Sequence, residues 1–205
     1  SCTGLRPALI DLDPQGSSTR WLANRPASLA SIIGTEGFQN SLQVTKTWHL
    51  RTPENSDLAV IDTPAGLTRQ ELISATRGAD AILIPVMPSD IDIHAVMKCI
   101  SDLLLVAKIP RPDLKIGIIA NRVRANTRVY SQLRKFLSSL DIPVVATLRD
   151  SQNYTRAFEF GMGIHEMPFS QVKKDIDAWS DIMGWLDRLR ERNLGQPSAI
   201  HYLRG

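Results

Sequence analysis

The chain has 205 residues and lacks the features that mark membrane-spanning, disulfide-rich and metal-cluster proteins. No apolar run reaches the roughly 20 residues of a membrane span, and no signal-peptide pattern is present. The two cysteines, Cys2 and Cys99, form no CxxC pair, which favours reduced thiols in a cytoplasmic protein. The four histidines are scattered without metal-ligand spacing. What is left has the composition of an ordinary globular domain, 43% apolar and 22% charged.

Charge is unevenly distributed, although the net charge is only +3. The stretch from Lys108 to Lys135 contains eight basic residues against one acidic residue, Asp113. It carries +7, so the rest of the chain carries −4. Two interpretations stay open: a surface for a polyanionic partner, or an ordinary solvated helix face.

Repeats and low-complexity runs are absent, and apolar strand-like runs alternate with segments of helical spacing. Near-continuous apolar strands predict a doubly wound α/β fold, a mostly parallel sheet with helices on both faces. We expect a single domain over residues 1–192 and a loosely ordered tail over 193–205. The predicted strands are Pro7–Leu12, Asp57–Asp62, Ala81–Val86, Leu114–Asn121 and Pro143–Leu148. The predicted helices are Leu67–Arg77, Val96–Ala107, Val129–Leu140 and Val172–Leu186.

Two of the predicted strands end in carboxylates. Leu9–Ser17 reads LIDLDPQGS and Val60–Gly66 reads VIDTPAG. Asp11 and Asp13 are two residues apart, so on a continuous strand their side chains share a face. Asp62 ends a second strand, so it is expected at the same ligand-binding crevice beyond the carboxyl ends of the strands. A single aspartate at a strand end often caps the next helix, but the two motifs together favour a Mg²⁺ and water site.

The phosphate-binding half of such a site is missing from the sequence. Carboxylates of this kind accompany a Gly-rich phosphate loop with a Gly-Lys step, and no Gly-Lys dipeptide occurs in the chain. Backbone N–H groups and a lysine are needed to hold a phosphate, and the three aspartates cannot replace them.

The two acidic motifs resemble those of the ParA/MinD group of deviant-Walker ATPases, most closely its short ParA proteins. Leu9–Ser17 is similar to the group's second phosphate-site motif, and Val60–Gly66 to its Walker B strand and the start of switch II. Further similarity runs in order through roughly residues 4 to 190. It includes Trp21, Arg25, Gly78–Val86, Pro88, Ser89, Ile119–Val123, Tyr154, Ala157, Gly161 and Glu166.

The resemblance implies roles for individual residues. Asp13 would position the attacking water, Asp11 would lie beside the metal and couple to the switch, and Asp62 would hold Mg²⁺ through water. Asn121 would read the adenine edge of ATP, although it could also simply end a strand. The implied adenine-binding residues are Asn121, Arg122, Leu148, Arg149 and Asp150.

The chain departs from that family at its beginning. The family's phosphate loop lies about thirty residues before the Asp-x-Asp-Pro-Gln motif, on a central first strand, whereas ten residues precede Asp11 here. Two explanations stay open: an N-terminally truncated form of a normal enzyme, which we favour, or a shortened inactive relative whose strands close ranks. Under either, we expect that this polypeptide does not hydrolyse ATP efficiently.

The resemblance favours a ParA-like partition or positioning ATPase, cytoplasmic and nucleoid-associated. Such a protein binds Mg-ATP as a homodimer, binds DNA non-specifically and acts with a ParB-like or cargo-adaptor protein, without a membrane. Alternatives are a non-catalytic DNA- or protein-interaction module and an ATP-dependent metabolic ligase on the same scaffold. An iron–sulfur reductase is disfavoured because two cysteines cannot supply a bridging cluster. The candidate DNA-contacting residues are Lys108, Arg124, Arg128, Arg134, Lys135, Arg188 and Arg192.

Overall fold

The computed structural model describes residues 4–36, 53–109, 115–192 and 199–202, and these form one seven-stranded sheet flanked by helices. Every strand pair is parallel, in the order β2-β1-β3-β7-β4-β5-β6. The strands are β1 Pro7–Asp11, β2 Ile33–Glu36, β3 Leu58–Asp62, β4 Ala79–Val86, β5 Ile116–Val123, β6 Val144–Arg149 and β7 Ala199–Tyr202. The helices are α1 Ser17–Ala23, α2 Arg69–Thr76, α3 Asp90–Leu105, α4 Arg128–Leu137, α5 Gln152–Glu159 and α6 Phe169–Arg192, with a 3₁₀ turn at Ile164–Glu166.

Side chains that alternate along β4 divide the core into two layers. Ile82 and Ile84 point into a cluster built with α2, α3 and α4, and Leu83 points into a second cluster built with α6. Because successive side chains of a strand lie on opposite faces, the two helix groups cover opposite faces of the sheet. The predicted doubly wound α/β fold is confirmed.

Several helices begin just after a strand, at a hydroxyl side chain that accepts a hydrogen bond from a helix N–H. Ser89 accepts one from Asp92 N at 3.1 Å, and Thr127 accepts one from Tyr130 N at 3.3 Å. Thr68 and Glu71 form a capping box at α2. These caps satisfy N–H groups that have no partner inside the helix, and β3, β4 and β5 each lead into a helix within seven residues.

The observed elements shift by a few residues from the predicted bounds, and Leu114 of the fourth predicted strand lies outside the described residues. The sequence did not predict α1, α5 or the 3₁₀ turn as elements. In the described part of the chain, no helix is long and apolar enough to cross a bilayer.

The C-terminal strand β7 differs from the expected loose tail. Ala199–Tyr202 pairs with β4 on one side and with β3 on the other, where Asp62 is opposite Tyr202. Strands β3 and β4 therefore do not pair directly with each other, since β7 lies between them. The other residues of the expected tail lie outside the described ranges.

Candidate functional site

Asp11 and Asp62 lie opposite each other in the sheet register, at the carboxyl ends of the neighbouring strands β1 and β3. Leu12 N donates to Asp62 O at 2.8 Å, which extends the pairing beyond the last residue of β1. Asp11 is 1% exposed and Asp62 is 6% exposed. Two carboxylates at this depth need donors close by, because burial of an unpaired charge is costly.

Helix α1 and the turn before it supply those donors to Asp11. Asp11 Oδ2 accepts hydrogen bonds from Thr19 N at 2.8 Å and Thr19 Oγ1 at 3.0 Å, and Oδ1 accepts one from Asp13 N at 3.0 Å. Gly16, at the N-cap position, has no side chain to perform this task and adopts φ 60°. Asp11 therefore caps α1 from the preceding strand, where its negative charge also complements the helix dipole.

Ser18 connects the second carboxylate to the same helix. Its hydroxyl donates to Asp62 Oδ2 at 2.5 Å, and Thr63, next along the chain, is fully buried. Neighbouring residues of α1 thus hold the ends of β1 and β3 together. The sequence motif pointed to the aspartates, but Ser18 and Thr19 were missed, although hydroxyl residues after a glycine are a common signal for a helix start.

Asp13 is placed differently from the prediction. The expectation that Asp11 and Asp13 share one face of a strand is wrong, because β1 ends at Asp11. Asp13 lies in the following turn and is half-buried. Its Oδ1 accepts from Gln15 N at 2.9 Å and its carbonyl accepts from Gly16 N at 2.8 Å, so this aspartate shapes the turn that leads into α1.

The oxygens of Asp11, one of the two predicted metal ligands, already have hydrogen-bond donors. Both oxygens of Asp11 accept hydrogen bonds from the chain itself. Among the described residues, no group of three or more His, Cys, Asp or Glu side chains could hold a metal ion. The predicted metal ligands Asp11 and Asp62 are brought together, but as a cap and clamp for α1.

Three of the five predicted adenine-binding residues form a separate group at the carboxyl ends of β5 and β6. The side chain of Asn121 accepts a hydrogen bond from Arg122 N at 3.0 Å, and Arg122 adopts φ 49°. The Asp150 carboxylate forms ion pairs with Arg122 at 3.5 Å and with Arg124 at 2.7 Å. The hydrogen bond from Arg124 is the main reason that the pKa of Asp150 is lowered. Strands β7 and β4 lie between this group and the Asp11–Asp62 pair.

The remaining two predicted adenine-binding residues face α6. Leu148 is 6% exposed in the core cluster beneath that helix. Arg149 makes a bidentate ion pair with Asp175, at 2.6 and 2.8 Å, and Asn153 donates to the same carboxylate at 2.8 Å. Burial raises the pKa of Asp175, but these hydrogen bonds outweigh it and the net pKa is lowered.

The candidate DNA-contacting residues fall on opposite faces of the sheet. Arg128, Arg134 and Lys135 belong to α4, whereas Arg188 and Arg192 belong to α6. Lys108 follows α3, and Arg124 is paired with Asp150. One flat surface therefore does not contain them all.

A buried clasp joins α1 to the segment before α6. Arg25 forms a bidentate ion pair with Glu166 at 2.5 and 2.9 Å and donates to Gly161 O at 3.1 Å. Trp21 Nε1 donates to Met162 O at 3.1 Å. The resemblance had singled out Trp21, Arg25, Gly161 and Glu166, but their pairing across about 140 positions has no local signal and was not predicted.

Comparison with known proteins agrees with this architecture. Residues 1–164 match the family described as the CobQ/CobB/MinD/ParA nucleotide binding domain. The chain therefore belongs to this family, and the resemblance stated from the sequence is confirmed.

Two proteins named for carboxysome distribution are among its relatives. The chain is 26% identical over 165 residues to maintenance of carboxysome distribution protein A of Halothiobacillus neapolitanus, covering 79% of this chain and 74% of that protein. It is 28% identical over 95 residues to the protein of the same name from Gloeobacter kilaueensis, covering 46% and 42%.

Solved structures share the fold at 15% identity. A putative plasmid partition protein from Borrelia burgdorferi bound to AMPPNP superposes with a TM-score of 0.64, covering 89% of this chain and 88% of that one. The cell division protein MinD of Aquifex aeolicus superposes with a TM-score of 0.60, covering 89% and 86%.

Proposed function

We propose that this chain is a ParA-like positioning protein that distributes a cellular cargo, binds ATP weakly and is deficient in ATP hydrolysis in the form described. The observation that carries the proposal is the pairing of Asp11 and Asp62 at one sheet edge, both hydrogen-bonded to α1. The two carboxylates lie side by side, but each accepts hydrogen bonds from groups of the chain itself. Relatives named for carboxysome distribution and plasmid partition support a positioning role.

Nucleotide contact is proposed at the carboxyl edge of the sheet. Asn121, Arg122 and Asp150 would lie at its adenine end, and Arg149 and Leu148 would support the loop from beneath. Asp13 stays the candidate for positioning water, and Asp11 and Asp62 stay candidates for a Mg²⁺ site. Occupation of Asp11 by Thr19 of α1 and by Asp13 N supports weak binding without efficient hydrolysis.

The test is titration with a fluorescent ATP analogue, with and without Mg²⁺, together with a phosphate-release assay. We expect measurable weak binding, reduced by Asn121→Ala and unchanged by Lys173→Ala on α6, and no turnover above background. Efficient turnover by this polypeptide would contradict the deficiency. Complete failure to bind nucleotide would instead favour the non-catalytic interaction module, which the occupied carboxylates also support.

DNA binding is proposed for the end of α6. Arg188 and Arg192 are four residues apart and exposed, so they share a helix face. Phosphate contacts make affinity fall steeply with salt. We expect Arg188→Glu with Arg192→Glu to abolish binding of a DNA duplex, whereas Lys173→Glu with Lys174→Glu, the same charge change elsewhere on α6, retains it. Equal losses in both variants would indicate only a response to net charge.

Dimerisation and an adaptor protein complete the proposal. The homodimer is testable by light scattering with and without ATP. Nucleoid association would follow from DNA binding and is testable by imaging a fluorescent fusion. The metabolic-ligase alternative needs a small-molecule acceptor, and product formation from ATP and candidate acids would reveal it.

A further inference from the structure

A groove of about 470 Å³ opens between α4 and the edge strand β6. Its lining includes Ala120 and Thr147, which precede the proposed adenine-binding residues Asn121 and Leu148 in the chain. One wall is the flank of α4, including Tyr130, Arg134 and Ser138, and the floor includes Val144 and Thr147 of β6. Parallel sheets are normally covered on both faces. Here α4 does not fully cover β6, and Val144 of that strand is 42% exposed.

The groove has the length of a short extended peptide. Its α4 residues run from Tyr130 to Ser138, about 12 Å at about 1.5 Å per helical residue. Its β6 residues run from Val144 to Thr147, about 10 Å at about 3.3 Å per strand residue. Strand β6 is paired with β5 on one side, and its other side has no partner strand among the described residues. An incoming strand could therefore pair with its backbone.

The charge of the groove specifies the partner. Arg134 and Lys135 lie at its wall, and neither its lining nor helix α4 contains an acidic residue. The exposed arginines at the carboxyl ends of β5 and β6 are paired, since Arg122, Arg124 and Arg149 each form an ion pair with a carboxylate. Within the described ranges, no ion pair is found for Arg134 or Lys135.

We propose that this groove binds an extended acidic segment of a partner protein, which pairs with the free edge of β6 and presents carboxylates to Arg134 and Lys135. Val144 in the floor and Tyr130 in the α4 wall give the groove apolar contacts, which suit a segment of alternating apolar and acidic side chains. A DNA duplex is too wide to enter it and would meet the two cations only from outside. The adaptor protein required by the proposed function is the candidate source of this segment.

The inference rests on the proposed function for the existence of an adaptor, but not on nucleotide binding. Fluorescence anisotropy without nucleotide therefore tests it separately. The probe is a labelled peptide of alternating Val and Glu, with an alternating Val and Gln peptide and a labelled DNA duplex for comparison. If ATP binding persists and the Val–Glu peptide fails to bind, only this inference fails.

Two variants test the charge and the shape of the groove independently. Arg134→Glu with Lys135→Glu reverses the charge, and Ser138→Trp fills the groove while keeping both cations. The matched control is Lys173→Glu with Lys174→Glu, which makes the same charge change on the opposite face. Unchanged thermal unfolding of all variants establishes that they fold.

We expect the Val–Glu peptide to bind the unmodified chain and the Val–Gln peptide to bind about tenfold more weakly. Both groove variants should lose about tenfold or more in affinity for the Val–Glu peptide, whereas the control variant should keep its affinity. The proposal is overturned if the acidic peptide does not bind or if Ser138→Trp leaves its binding intact. It is also overturned if the duplex alone binds and depends on Arg134 and Lys135, which would make this surface a phosphate contact.

Discussion

At the scale of single residues, Asp11 shows how one carboxylate can serve structure at a position that also suits chemistry. It is buried and accepts hydrogen bonds from two backbone N–H groups and one hydroxyl. An aspartate at a strand end has two common uses, capping a helix or binding a ligand. Its contacts show that Asp11 caps α1, so any metal or phosphate would have to compete with Thr19 and Asp13 for its oxygens.

Substitution of this carboxylate tests the cap. In Asp11→Asn, the amide NH₂ would face a backbone N–H group, so a buried donor would lose its acceptor. We expect a loss of about 1–3 kcal/mol in the free energy of unfolding, measured by urea denaturation. The matched control is Asp13→Asn, because Asp13 is more exposed and its side chain accepts one bond, from Gln15 N. Equal losses in the two variants would contradict the assigned cap.

At the scale of elements, the clasp joins the end of α1 to residues 161–166, the segment that leads into α6. The side chains of Arg25 and Glu166 are 6% and 13% exposed. Glu166 Oε2 also accepts a hydrogen bond from Gly163 N at 2.6 Å. Because the first turn of α1 also holds Asp11 and Asp62, the carboxylates fix the start of the helix and the clasp fixes its end.

The clasp gives stability a dependence on acidic pH. The hydrogen bond from Arg25 is the main reason that the pKa of Glu166 lies below the ordinary value of about 4.5. A carboxyl group with a lowered folded-state pKa contributes stability above the unfolded-state pKa, and this contribution is lost as the pH falls through the folded-state pKa. We therefore expect the stability difference between the unmodified chain and Glu166→Gln to be constant above about pH 4.5 and to shrink below it. Urea denaturation across this range measures the difference, and a gap that widens on acidification would contradict the ion pair.

The backbone of the clasp tests its close packing. Gly161 adopts φ 61°, and an added Cβ would lie 2.4 Å from backbone atoms of Asn24 and Arg25. Gly78 adopts φ 76° with nothing within 4 Å of an added Cβ. Gly78→Ala should therefore cost only the left-handed backbone conformation, about 1–2 kcal/mol. Gly161→Ala should cost clearly more, since α1 must move away. Similar melting temperatures for the two variants would contradict the close approach of α1.

At the scale of the whole molecule, the sequence predicts the parallel sheet and its two helical layers because long apolar strands must be covered on both faces. It also predicts the edge where Asp11 and Asp62 meet, because parallel strands end on the same side. It does not predict the contact between Arg25 and Glu166, since no periodicity relates residues so far apart. Nor does it predict β7, because the four residues of Ala199–Tyr202 show no strand pattern of useful length, and their strand conformation depends on β3 and β4.

The central position of β7 makes the strongest prediction about the whole molecule. Ala199 and His201 are opposite Ala79 and Ile82 of β4, and Tyr202 is opposite both Leu83 and Asp62. Removal of residues 199–205 would leave facing backbone groups of β3 and β4 unpaired inside the sheet, which is costly and exposes two strand edges to other chains. We expect this deletion to lower the unfolding cooperativity and to produce oligomers in size-exclusion chromatography, whereas a chain that ends at Tyr202 stays unchanged. Hydrogen exchange should accelerate in β3 and β4 and stay slow in β5, because β5 keeps its pairing with both neighbours. Unchanged exchange in β3 and β4 after the longer deletion would show that the sheet does not depend on this strand.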